Sequence, residues 1–424
     1  MVTAAGTAQL GLTLATSAAA AAGIAYAAHE HLRVSATLPA LWQGCNWPTG
    51  HHSSSSGSGT NPYAIIDSSL CLALPLYRLT RTDLLSVGAF SLALSGLLPL
   101  FAFYSYTAIS PNARASFLST GLTLFAAASH FLGAGFLAAG PVVLLYALGT
   151  ALFFAKRASL TPLPTRPLGA HLVNILLSVY LFAGLGIMFL NPQGAKWYNC
   201  FLALLLVPLA LLNLPTIAAG QRTPQSEADV RKALSTFSAG ELSAAFERTW
   251  ASYRRIGLVS GILYWYGIGR ITNALLFRRA TSINDATFHS LLSFAGTSVA
   301  LLALVAIDRL TARARASDIT TQPLPNTPAN TKTVLSQVTE QTPRAHPLTG
   351  KQPSKLDLEC ERAIARAPAG HPIVELGIKG TTIATLLGGP GLAAAFWWAR
   401  GEEEAGWKAR REWREIQALA SKKQ

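Results

Sequence analysis

The sequence predicts an all-α fold: a polytopic bundle of transmembrane helices with about eight spans and a ninth candidate near the C-terminus. Three observations predict it. Half of the 424 residues are hydrophobic and only 13% are charged, where soluble domains carry about 25% charged residues. Several stretches approach or exceed the roughly 20 apolar residues that a bilayer-spanning helix needs. The Lys and Arg behind the net charge of +14 fall mostly in polar loops and toward the C-terminus. That distribution suits membrane orientation and anionic headgroups, not a nucleic-acid-binding face.

The first apolar stretch, "AQLGLTLATSAAAAAGIAYAA" (8–28), has no Lys or Arg before it. A cleaved signal peptide or a mitochondrial presequence would carry basic residues there, so the stretch reads as an uncleaved anchor helix. "HHSSSSGSGTNP" (51–62) follows as a flexible linker. Further apolar segments cover 62–78, 84–108, 116–155, 169–190, 197–218, 256–277 and 287–307. The forty residues 116–155 fit either two short spans turning near 138–141 or one kinked helix. Taken as one crossing, they let the basic loops alternate as the positive-inside rule expects, with the N-terminus cytoplasmic.

Residues 1–310 are therefore read as the bundle and 311–370, rich in Thr, Pro, Gln and Ser, as a disordered linker. Residues 371–399 hold an apolar segment interrupted by "GGPG". Such a break fits an interfacial helix, with Trp397 and Trp398 at headgroup level, or a weakly inserted one. Residues 400–424, with alternating acidic and basic blocks, read as a charged surface helix. Cys45, Cys71, Cys200 and Cys360 form no CxxC pair, which indicates neither a disulfide framework nor a zinc site.

Polar residues inside apolar runs are the candidate functional residues, because placing an ionisable group in hydrocarbon costs at least a few kcal/mol. Asp67 is the clearest. It reads either as a helix cap near the interface or as a buried carboxyl poised to donate a proton. His130 is the one histidine deep in an apolar run. His171, Asn174 and Ser178 share a helix face. Tyr264, Trp265 and Tyr266 adjoin Arg270, either as an aromatic belt with a snorkelling arginine or as a cavity wall able to stabilise a cation. No DDxxD, HExxH, GxSxG, P-loop or GxGxxG motif is present. The sparse carboxylates do not suit magnesium-assisted diphosphate chemistry, so neither a metal nor another cofactor is expected.

The order "AIIDSSLCLAL", "SPNAR", "HFLGAGFLAAGPVVLLYAL", "VNILLSVYLFAGLGIMFL" and "WYNCFLALLLVPLALLNL" resembles the fungal integral-membrane terpene cyclases of meroterpenoid pathways, of the ascofuranone and macrophorin type. The likeness covers the first half to two-thirds of the chain. Where that family carries an acid before the R/N loop, this chain has Tyr104 and Tyr106 instead. The resemblance implies cyclisation of a prenyl chain after protonation of an epoxide or olefin. Together with the polar residues singled out above, it makes Asp67 and His130 the candidate catalytic groups, and Tyr104, Tyr106, Asn174, Tyr264, Trp265, Tyr266 and Arg270 the candidate substrate pocket. It further implies a hydrophobic prenylated substrate delivered through the bilayer; for an uncleaved anchor protein in a eukaryote the endoplasmic reticulum is the default membrane. A transporter and a non-catalytic membrane scaffold are the competing readings.

Overall fold

The structure, a computed structural model, describes residues 11–12, 15–16, 19, 22–23, 26, 83–109, 163–165, 167–189, 227–278, 283–321 and 378–423. Besides isolated helical positions between 11 and 26, the helices there are α1 (Leu84–Ile109), α2 (Pro167–Phe189), α3 (Glu227–Leu234), α4 (Ala239–Leu276), α5 (Asp285–Thr321) and α6 (Ile378–Lys423). No strand occurs among the described residues. Four stretches are long and apolar enough to cross a membrane: Leu84–Thr107, Gly169–Gly186, Thr287–Ala306 and Gly380–Arg414. α4, expected to span over 256–277, is not one of them; Arg270 and Asn273 interrupt its apolar half. The expected segments 62–78, 116–155 and 197–218 lie outside the described residues.

α4 is packed between α1 and α6, and small residues let the backbones approach. Side chains added at Gly88 of α1 and Gly267 of α4 would each meet the other's carbonyl, at 2.9 and 2.8 Å. Such close approach is the usual way helices associate in lipid, where apolar side chains gain little by leaving the solvent. Buried hydroxyls add direct links. Ser91 Oγ donates to the Leu263 carbonyl at 2.7 Å and Ser260 Oγ to the Ser95 carbonyl at 2.5 Å.

Matching contacts fix the helix directions. Ser86 meets Thr287 and Gly96 meets Thr297, so α1 and α5 are parallel. Ser91 meets Leu263 and Gly88 meets Gly267, so α4 runs opposite to α1. Leu94 meets Gly184 and Tyr106 meets Asn174, so α2 also opposes α1. Tyr264 meets Gly389 and Phe396 meets Gly257, so α6 opposes α4 and is parallel to α1 and α5.

Two consequences bear on the connections. A Cβ at Gly169 would touch Ile109, so the end of α1 and the start of α2 lie at one end of the bundle. By contrast α5 and α6 are parallel, so the end of α5 and the start of α6 lie at opposite ends of the bundle.

The kink in α6 has a covalent cause. Pro390 supplies no N–H to the helix ladder, and Gly389 before it takes φ 79°, ψ 172°. That φ is open to glycine and strained for other residues, and a Cβ there would run into the Tyr264 ring at 2.6 Å. Trp265 Nε1 donates to the Leu387 carbonyl on the same turn at 2.5 Å. Such pairing satisfies backbone groups freed at a proline kink.

Beyond the kink α6 departs from the sequence expectation. Trp397 and Trp398 are buried in the main core, at 9% and 6% exposure. The charged stretch after Arg400 packs along the first half of α4 rather than lying free. A second, smaller core forms there from Leu163, Val230, Leu234, Leu242, Phe246, Ala409 and Trp413. α5 likewise continues to Thr321, into the stretch read as linker.

Candidate functional site

The residues that the structure gathers lie where the apolar bundle gives way to the polar extension. Tyr106 is near the end of the apolar window of α1, and Asn174 is five residues inside that of α2. Tyr106 Oη donates to Asn174 Oδ1 at 2.9 Å, and Ser252 Oγ donates to the same oxygen at 2.5 Å. Tyr106 and Ser252 are buried, and Asn174 is half-buried at the edge of the exposed face of α2.

Aromatic rings surround this trio. Tyr106 and Tyr253 lie 5.0 Å apart between centroids, Tyr253 and Trp398 5.8 Å, and Phe103 stacks on Trp398 at 4.5 Å. Trp398 Nε1 donates to Asp308 Oδ2 at 3.1 Å, just past the apolar window of α5. Glu402, one turn after Trp398, and Arg255, on α4, both lie within electrostatic reach of the Tyr106 hydroxyl. One turn before Tyr253, Thr249 Oγ1 is buried with no hydrogen-bond partner among the described residues.

Four helices thus converge on a neutral polar trio with aromatic faces on one side and one carboxylate and one guanidinium nearby. Chemically, such a site can hold an uncharged oxygen by hydrogen bonding and present ring faces to a developing cation. Among the described residues no group of three or more His, Cys, Asp or Glu is placed to hold a metal ion.

Of the residues expected from the sequence, the structure brings Tyr106 and Asn174 together. Tyr104 is a position on α1, and Asp67 and His130 lie outside the described residues. The aromatic triplet of α4 does not join this site. Tyr266 is fourteen residues beyond Ser252, roughly 21 Å along a helix. Successive helical side chains also point about 100° apart: Tyr264 and Trp265 stay in edge contact, 6.0 Å between centroids, while Tyr266 turns toward α2. Tyr264 packs on the α6 kink and Phe294, Trp265 bonds Leu387, and Tyr266 faces Phe189 of α2. Arg270 Nε donates to Tyr266 Oη at 3.0 Å with its guanidinium 5.0 Å from the ring centre. His171 and Ser178, on the stripe with Asn174, are exposed, and Ser178 Oγ donates back to the Asn174 carbonyl at 2.9 Å.

Ser252, Tyr253 and Trp398 were not among the expected site residues. The first two precede the apolar run that begins at 256, in a stretch read as loop. A periodic signal was nevertheless available: Leu242, Ala245, Phe246, Thr249, Ser252, Tyr253 and Ile256 are all buried, at three- and four-residue spacing.

No protein-family model matches the chain, and no characterised protein or solved structure is measurably similar to it.

Proposed function

We propose that the chain is a multi-pass membrane enzyme, resident in the endoplasmic reticulum, that cyclises the prenyl chain of a meroterpenoid or terpenoid precursor. The observation that supports this reading is the aromatic-flanked trio Tyr106, Asn174 and Ser252 at the margin of the apolar bundle. A prenylated precursor has a polar scaffold and an apolar tail, and it partitions with the scaffold at that margin and the tail in lipid.

In the proposed reaction a carboxyl proton, from Asp67, adds to the oxygen of a terminal epoxide. The C–O bond opens while an olefin π pair forms the new C–C bond, and the cation passes inward through successive olefins. The last cation loses a proton to a base, so substrate and product are isomers. An olefin-initiated version differs only in that the proton adds to carbon. Ring closure travels toward the scaffold, so the last cation forms near the bound polar end. There the faces of Tyr106, Tyr253 and Trp398 favour positive charge, and exclusion of water keeps the cation from being quenched.

Membranes from a host producing the chain, supplied with prenylated phenols and their terminal epoxides, test the proposal. The expected result is a cyclised product of unchanged mass that disappears with Asp67→Asn. No new product from a well-inserted, abundant chain would refute it.

A further inference from the structure

Asn174 uses only half of its hydrogen-bonding capacity within the protein. Its Oδ1 accepts from both Tyr106 and Ser252. A carboxamide also carries two N–H donors, and those of Asn174 have no partner among the described residues. Two hydroxyls donating into one oxygen fix the plane of the amide, so its donors are pre-oriented. Thr249, one turn from Tyr253 on α4, is a second hydrogen-bonding group without a partner among the described residues, at 1% exposure. Buried polar groups are ordinarily paired, and those that are not call for an explanation. Asn174 is also the member of the trio that reaches the surface of α2, beside exposed Ile175 and Ser178.

We propose that the Asn174 amide N–H pair recognises a neutral oxygen acceptor, a carbonyl or phenol oxygen, on the scaffold of a membrane-borne ligand. Tyr106 and Ser252 are positioning residues that hold the amide. The groups in direct contact are uncharged, and the ionisable side chains within electrostatic reach are one carboxyl, Glu402, and one guanidinium, Arg255. A diphosphate, which needs several cations or a metal to neutralise it, does not fit. The ligand class is therefore an oxygenated prenyl compound and neither a hydrocarbon nor a prenyl diphosphate. This assignment rests on the reading that the site takes a prenylated substrate, and it is tested by binding rather than turnover.

The purified full chain in nanodiscs is titrated with a farnesylated hydroxyacetophenone, with farnesylbenzene and with farnesyl diphosphate, following tryptophan fluorescence. The native chain is expected to bind the oxygenated probe at least tenfold more tightly than either other compound. Asn174→Asp retains an acceptor for Tyr106 and Ser252 but removes both donors. It is expected to bring the oxygenated probe down to the level of farnesylbenzene, while Asn174→Gln restores part of the preference. A native chain without preference overturns the assignment, as does an Asn174→Asp chain that keeps it. If the preference is present but membranes form no cyclised product, the binding assignment stands and the cyclase reading fails.

Discussion

Along α4 the chain passes from one kind of packing to another. Its second half runs between α1 and α6 with glycines and serines at the contacts, and hydroxyls bond directly to neighbouring backbones. Its first half packs against α3 and the charged part of α6, around Phe246 and Trp413, with ion pairs at the rim. Arg254 meets Glu403 at 3.7 Å and Arg231 meets Glu412 at 3.5 Å. Stripes such as Ile175, Phe182 and Phe189 on α2, and Leu258, Ile262 and Trp265 on α4, point outward from the bundle. Those faces are compatible with lipid. Large side chains buried against water hold the extension, whereas close backbone fit holds the bundle. The two halves of one helix therefore fail in different ways.

The largest separation of the two regions is expected from Trp413→Ala. It removes the largest side chain of the small core and the donor to the Phe237 carbonyl at 2.7 Å. Loss of a buried aromatic costs about 3–5 kcal/mol. Limited proteolysis should then cut within 227–255 and 400–423 while the bundle stays protected; simultaneous loss of bundle protection would show a single cooperative unit. Gly267→Leu attacks the other side of the comparison. Forcing α1 and α4 apart is expected to cost about 1–3 kcal/mol, read as a lower melting temperature in detergent with the extension's proteolytic pattern unchanged at low temperature. Ser238→Ala removes the capping box in which Ser238 Oγ accepts from the Glu241 N–H and the Glu241 carboxylate from the Ser238 N–H. About 1 kcal/mol is expected, as faster amide exchange confined to the first turns of α4. Smallest is the Arg254–Glu403 pair, for which a double-mutant cycle should give about 0.2–1 kcal/mol. It should vanish in high salt, which the packing of the bundle does not feel.

Sidedness sharpens the comparison without an energy. Two parallel helices that both cross would put cysteines at 321 and 378 on opposite faces of the membrane, with the chain between them crossing as well. The intervening residues contain no apolar run of spanning length. Labelling from the same face would show that α5 and α6 are not both crossings.

Hydropathy made the apolar helices legible: the expected 84–108, 169–190 and 287–307 correspond to Leu84–Ile109, Pro167–Phe189 and the first two-thirds of Asp285–Thr321. It did not reveal the extension, because an averaged hydropathy cannot see a stripe. Residues 239–255 are polar on average yet bury every third or fourth side chain, and the acidic and basic residues of 400–414 leave Gly406, Ala409 and Trp413 inward. The GGPG break was visible, but its accommodation by Tyr264 and Trp265 depends on residues more than a hundred positions away. The candidate site was legible in part. Asn174 stood out as a polar group in an apolar run and Tyr106 through the family resemblance, whereas Ser252 and Tyr253 sit in a polar context and look ordinary. The aromatic triplet 264–266 reads as one group in sequence, whereas on the helix Tyr266 turns toward α2 and Tyr264 and Trp265 meet at the α6 kink.

One contact at the far end of the bundle has a consequence in time. Asp83 caps α1 through the Ser86 N–H at 2.6 Å, and Asn284 caps α5 through the Thr287 N–H at 2.8 Å. The two caps are tied together, because Asn284 Nδ2 donates to Asp83 Oδ2 at 2.8 Å and to Ser86 Oγ at 2.7 Å. Their partners are about two hundred residues apart in the chain. At about 5–20 residues per second, synthesis alone separates the two helix starts by roughly 10 to 40 seconds. α1 must therefore persist, its own cap formed but its tie to Asn284 unmade, until α5 emerges. The joined caps make the beginning of one helix a witness to the arrival of another.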